Sequence, residues 1–162
     1  MTDALAQLLI RAGNVVPGRT LLVVIAGMVA LAVIDVWRRE VEDYAVVALL
    51  GIAAIGMRLE GIHPQQWLGA VLAAAVAFLV YLGLGQRGVL GGGDVKLSVV
   101  PAFVLGAANP VIGVWWIAGA ILIHQALFFV TSRLQKSREA IPHVPAMAAA
   151  TMVAAVAFPG IM

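Results

Sequence analysis

Two acidic residues stand apart in a chain whose apolar runs are otherwise almost free of charge. Asp94 lies in Gly91-Gly92-Gly93-Asp94-Val95-Lys96, and Asp35 lies near the end of the first long apolar run. A carboxylate at the centre of a membrane helix costs about 2.5–3.5 kcal/mol on insertion scales and less toward the interface, so either residue is a functional candidate. If the two carboxyls meet, like-charge repulsion and partial desolvation raise one apparent pKa, and the pair shares a proton near neutrality. The ionised member can then take a proton from a water that attacks a peptide carbonyl, while the protonated member donates to the carbonyl oxygen. The roles reverse as the amine leaves. This is peptide hydrolysis without a metal or cofactor, and it makes Asp35 and Asp94 the candidate catalytic residues. The three glycines remove every Cβ and permit positive φ, so the backbone of a substrate or of a neighbour can come close. Gly91 and Gly93 are therefore candidates for substrate binding or support, and Lys96 for a contact with Asp94 or with substrate.

The elements that must position these residues are apolar helices. Of 162 residues, 63% are hydrophobic and 11% charged, well outside the balance of a soluble domain. This predicts an all-α integral membrane protein of about six transmembrane helices, one of them short or broken, since each span takes roughly 17–25 residues. Residues 1–19 mix apolar groups with Asp3, Arg11 and Arg19 and read as an amphipathic or irregular lead-in, without the ordered regions of a signal peptide. Spans are expected over residues 20–37, 44–57, 67–84, 111–131 and 146–162. The third is rich in small residues that let helices approach closely in lipid. Residues 97–107 are apolar but short and contain Pro101, so they form a tilted, kinked or partial helix that its neighbours must cover.

With six spans, Arg38, Arg39, Arg87, Lys96, Arg133, Lys136 and Arg138 fall on one side, and Arg11, Arg19 and Arg58 on the other. Cationic loops favour the cytoplasm. The first group is therefore expected there and both chain ends outside. Asp35 and Asp94, 59 positions apart in sequence, then share the cytoplasmic boundary.

Other chemistries find less support. No cysteine is present, which excludes disulfides, thiolate zinc sites and a cysteine nucleophile. His63, His124 and His143 fall in separate segments without an HExxH motif, so no metal site is expected; His124 reads as a buried hydrogen-bonding residue facing the bundle. Trp115 and Trp116 read as interface anchors. Ser98, Thr131 and Ser132 have no base at a recognisable spacing. The sequence pI near 9.5 comes without a basic, aromatic-interleaved stripe, so nucleic acid is not an expected partner. Plainer roles stand beside the catalytic ones: Asp94 can cap a helix, Asp35 can pair with Arg38 or Arg39, and Lys96 can serve only as a topology cation.

The segment Gly91-x-Gly93-Asp94-x-Lys96 resembles the GxGDxK signature of the membrane-embedded GxGD aspartyl proteases, specifically the type IV prepilin peptidases. Asp35 matches the family's first aspartate, at the end of an early span. Ile141-Pro142-His143-Val144-Pro145-Ala146 is similar to the proline-containing start of its last span. The resemblance covers nearly the whole chain. Its small size, without a cysteine-bearing zinc segment, is similar to the tight-adherence (Flp-type) peptidases that cleave without N-methylating. One departure is Val41-Glu42-Asp43, where the family often has Ile-Pro-Asn.

The resemblance implies a single membrane-embedded peptidase domain over residues 1–162, in a bacterial or archaeal cytoplasmic membrane. It implies a prepilin or pseudopilin substrate with an apolar N-terminal helix, cut at the cytoplasmic face just before that helix, with no cofactor. The alternative is a non-catalytic membrane component, either a small transporter-like bundle or a pilus-assembly scaffold. A transporter should carry an inverted repeat with paired broken helices, and only the Pro101 segment looks broken.

Overall fold

A computed structural model describes residues 17–39, 41–135 and 142–158. The lead-in up to residue 16, Lys136, Arg138, Ile141 and residues 159–162 lie outside the described residues. The described chain is helical: α1 (Gly18–Arg38), α2 (Asp43–Leu59), α3 (Pro64–Gln86), α4 (Gly92–Leu97), α5 (Val99–Ala108), α6 (Pro110–Gln135) and α7 (Val144–Ala157). Of these, α1, α3 and α6 are long and apolar enough to cross a membrane. The fold is that of an all-α integral membrane protein.

Helix faces follow from residue spacing. On α1 the buried positions Leu21, Val24, Met28, Leu31 and Asp35 recur every three or four residues, the period of one helix face. Leu22, Val23, Val29, Val33 and Val36 on its other faces are exposed. An apolar exterior of this kind suits lipid and not water. Asp35 thus continues the stripe that turns inward, with 7% of its surface exposed.

The expected break near Pro101 is present, and its cause is local. Proline has no N–H and crowds the carbonyl four residues back, here that of Leu97. The helix begun at Gly92 stops at Leu97 and resumes at Val99, with Pro101 in the first turn of the new segment. Ser98 remains in the right-handed region at φ −56° and ψ −26°, and its hydroxyl donates to the Val95 carbonyl at 2.7 Å. α4 and α5 therefore make one broken rod, giving six rods among the described residues. Val100 to Ala107 are all buried, so this short rod is sheathed by its neighbours as irregular membrane backbone must be.

The sheath fits because its seam carries almost no side-chain bulk. A Cβ on Gly106 of α5 would collide with the Ala73 Cβ of α3 and lie 2.8 Å from the Gly69 carbonyl oxygen. A Cβ on Gly113 of α6 would meet the same Ala73 methyl at 2.7 Å and the Ala102 carbonyl oxygen at 3.0 Å. α3, α5 and α6 are thus packed backbone to backbone. Asn109, extended between α5 and α6, accepts the Val111 N–H on its side-chain oxygen at 2.9 Å, and Pro110 opens α6 where its missing N–H is harmless.

Two expectations need correction. The positive φ that the glycines at 91–93 permit is not used: Gly92 and Gly93 are the first residues of α4, and the positive-φ glycines among the described residues are Gly61 and Gly88. Trp115 is exposed, but Trp116 is a core residue and not an interface anchor. It is 2% exposed, stacked on Tyr81, and its indole N–H donates to Thr151 Oγ1 at 3.0 Å. Adjacent helix positions point about 100° apart, so one tryptophan of the pair faces inward.

Gly106→Ala places its methyl against two backbone atoms and one methyl of α3 with no rotamer to relieve it. We expect destabilisation of about 1–3 kcal/mol, read as a lower thermal midpoint in detergent. Gly119→Ala is the control: nothing lies within 4 Å of its Cβ position, and glycine to alanine inside a helix should be neutral or gain about 0.5–1 kcal/mol.

Candidate active site

Asp35 and Asp94 reach one end of the bundle from different helices. Asp35 lies a turn from the C-terminal end of α1, which closes at Arg39 in the left-handed conformation with its N–H bonded to the Asp35 carbonyl at 2.8 Å. Asp94 is the third residue of α4, and its Oδ2 accepts the Gly91 N–H at 3.1 Å. The carboxylate so placed satisfies a free donor at the helix start and suits the positive end of the helix dipole. Part of what Asp94 does is therefore helix capping, as its position after glycine allowed.

Asp94 lies within electrostatic range of Asp35. Burial pushes Asp94 up from the ordinary carboxyl value of 3.8 to about 6; the Gly91 N–H pulls the other way, and the Asp35 charge adds to the rise. Asp35 is held from the far end of the sequence: its Oδ2 accepts the Val144 N–H, 109 positions away, at 3.3 Å. Val144 opens α7, so the last described helix begins on Asp35.

Two contacts fasten the segment after α1 to the start of α4. A Cβ on Gly93 would lie 3.4 Å from both the Cβ and the carbonyl oxygen of buried Val41. Here the missing side chain serves an approach of protein to protein. Lys96, a candidate for contact with Asp94 or substrate, instead holds Asp43 at the start of α2, with Nζ 2.6 Å from both carboxylate oxygens. Val41-Glu42-Asp43, the departure from the family pattern, is thus what the glycine segment grips. Gly91 contributes its N–H to Asp94, and a Cβ on it would lie 3.4 Å from that carboxylate.

Sequence reasoning missed Val144, Tyr81 and His143. Val144 acts through its backbone, which no residue type signals. Tyr81 is fully buried, with its hydroxyl 3.0 Å from His143 Nε2; it continues the small-residue stripe Ala70, Ala74 and Ala77 of α3, and this spacing could have marked it. His124 faces the bundle but packs edge-on against the His143 ring at 4.5 Å, and its buried Nδ1 has no hydrogen-bond partner; the expected hydrogen bond through that atom is absent. Among the described residues no cluster of three or more His, Asp or Glu could hold a metal.

Comparison with known proteins decides the family. The model of the type IV leader peptidase family matches residues 22–159. This chain belongs to that family. A curated relative, the prepilin leader peptidase/N-methyltransferase of Bacillus subtilis (strain 168), is 28% identical over 134 residues, covering 82% of this chain and 53% of the relative. The chain spans about half the length of the curated relative it matches. No solved structure matches it. Both aspartates and Val144 fall inside the stretch that the leader peptidase model covers.

Two measurements follow from the site of this leader peptidase family member. Because Asp94 keeps its proton to about pH 6 when folded but ionises near 3.8 when unfolded, the unfolded state binds fewer protons between those values. Stability should therefore fall as pH rises from about 4 to about 6 and level off above it; in Asp94→Asn that part of the slope should vanish from the thermal midpoints. Lys96→Met should change stability by at most about 1 kcal/mol, because an exposed ion pair contributes little.

Proposed function

We propose that this protein is a membrane-embedded aspartyl endopeptidase that removes the short N-terminal leader of prepilins or pseudopilins. The observation that carries the reading is the meeting of Asp35 and Asp94, from separate helices, within electrostatic range at one end of a type IV leader peptidase family bundle. A carboxyl whose proton affinity is raised by burial and by a neighbouring carboxylate keeps that proton to about pH 6, so the pair offers one acid and one base on the slightly acid side of neutrality. The ionised carboxylate accepts a proton from water, whose oxygen adds to the scissile carbonyl, and the protonated partner gives its proton to the carbonyl oxygen. Collapse of the tetrahedral intermediate breaks the C–N bond; the departing amine takes a proton from the carboxyl that accepted one, and a hydroxyl proton of the intermediate returns to the partner as the C=O bond re-forms. The step uses water alone and no cofactor.

The cut falls at the cytoplasmic face of a bacterial or archaeal inner membrane. The support is the distribution of cations: Arg38 ends α1, Arg87 follows α3, Lys96 lies in α4 and Arg133 lies near the end of α6, all at the end that holds the two aspartates, and such residues favour the cytoplasm. The substrate is a chain whose apolar N-terminal helix lies in the bilayer beside the enzyme, with the bond to be cut emerging at the depth of Asp35. Residues 1–162 form a single peptidase domain in this reading, with Gly91 and Gly93 supporting Asp94 from the backbone.

The test is leader cleavage of a co-expressed prepilin, followed as a gel shift. Asp35→Asn and Asp94→Asn should accumulate in membranes as the native chain does and leave the prepilin uncut, because asparagine caps helices about as well as aspartate but cannot carry the proton. Cleavage at the native rate by either variant would overturn the two-aspartate mechanism. A native chain that cuts no prepilin in a broad panel would put the transporter or scaffold reading first.

A further inference from the structure

The proteolytic step leaves one group of buried polar side chains unused, and one of its members, His143, directly precedes the residue whose N–H binds Asp35. Tyr81 of α3 has no exposed surface, and its hydroxyl bonds to His143 Nε2 at 3.0 Å. His143 is 3% exposed and precedes α7. The Tyr81 ring is stacked between neighbours: Trp116 of α6 lies nearly parallel with centroids 6.2 Å apart, and His143 is tilted at 5.4 Å. His124 closes the group from α6, edge-on to His143. The His143 Nδ1 is buried with no partner, so among the described residues the Tyr81 hydroxyl is what the imidazole bonds to.

Packing alone does not call for this pair. A phenylalanine at position 81 would stack on Trp116 as well, and an apolar side chain at 143 would avoid burying an unpaired nitrogen, which costs about 1–3 kcal/mol. What a hydrogen bond adds is direction. The His143 carbonyl accepts the N–H groups of Ala146 and Met147 at 3.0 and 3.2 Å, so its backbone is the first turn of α7, and the next amide along is the Val144 N–H on Asp35. On the other side, the Tyr81 hydroxyl lies within electrostatic range of Asp94. The pair is thus joined to Asp35 through the α7 backbone and lies within electrostatic range of Asp94.

We infer that Tyr81 and His143 are positioning residues for the aspartate pair, their hydrogen bond fixing the start of α7 so that the Val144 amide stays on Asp35 Oδ2. Neither touches the reacting atoms. The catalytic consequence rests on the proteolytic reading above; the structural consequence does not, and the two are measured separately.

The structural readout is the Val144 amide of the full chain in detergent, labelled with 15N-valine and assigned by the loss of its signal in Val144→Ala. Asp35→Ala removes the acceptor and should move this amide proton upfield. Tyr81→Phe, which is remote from Val144 in sequence and removes one oxygen, should move it in the same direction. The catalytic readout is prepilin cleavage: Tyr81→Phe and His143→Leu should lower kcat by about tenfold or more with little change in KM, as misplaced catalytic groups do. His143→Gln, which restores a nitrogen near the position of Nε2, should recover part of that loss. A Val144 amide unmoved in Tyr81→Phe, or unmoved in Asp35→Ala, overturns the inference, as does native kcat in both Tyr81→Phe and His143→Leu. If the native chain cuts no prepilin, the proteolytic reading falls, and the amide comparison still decides whether the pair positions Asp35.

Discussion

The arrangement depends on how closely α3, α5 and α6 approach. Lipid offers no hydrophobic drive for helices to associate, so contact must come from packing and from polar groups. At Gly69, Gly106 and Gly113 the neighbouring helices lie so close that added methyls would overlap them. That seam lets a rod of about five turns, broken at Ser98, lie inside the bundle with little side-chain bulk at its contact. Asp94 is at the outer end of that rod. Its height and direction are set by a contact several turns away.

Around this seam the site is tied together by few and dissimilar bonds. An amide from α7 reaches Asp35; a glycine in α4 admits the Val41 backbone; Lys96 clasps Asp43 at the surface. At the opposite end of α1, Glu60 accepts both the backbone N–H and the hydroxyl of Thr20, so α1 is fastened to the end of α2 where its own first donors would be unpaired. α1 is thus pinned at both ends, and Asp35 lies on a helix held against sliding and rotation alike. Such support is what keeps a reactive pair in register.

Much of this was legible in the residues. The inward stripe Leu21, Val24, Met28 and Leu31 leads to Asp35 by spacing alone, and the alanines of α3 announce a close-packed helix. The break at Pro101 follows from the chemistry of proline. The glycine triplet was misread because glycine disfavours helix interiors, while at a helix start an aspartate reaching back to Gly91 outweighs that preference. Trp116 was misread because two adjacent tryptophans resemble a membrane-surface pair until the helix face is known. The Val144 amide could not have been read at all: a backbone donor is common to every residue except proline, and only the fold says which one meets a carboxylate.

The bond between Asp35 and Val144 joins the first described helix to the last. A chain is made from its N-terminus, and its early helices pack before the later ones exist. Asp35 and Asp94 can therefore both be in the membrane while the amide that holds Asp35 is still to be synthesised. The carboxylate pair has its full set of partners only when the last described helix docks, so the site is the late product of a helix made long after both carboxyls.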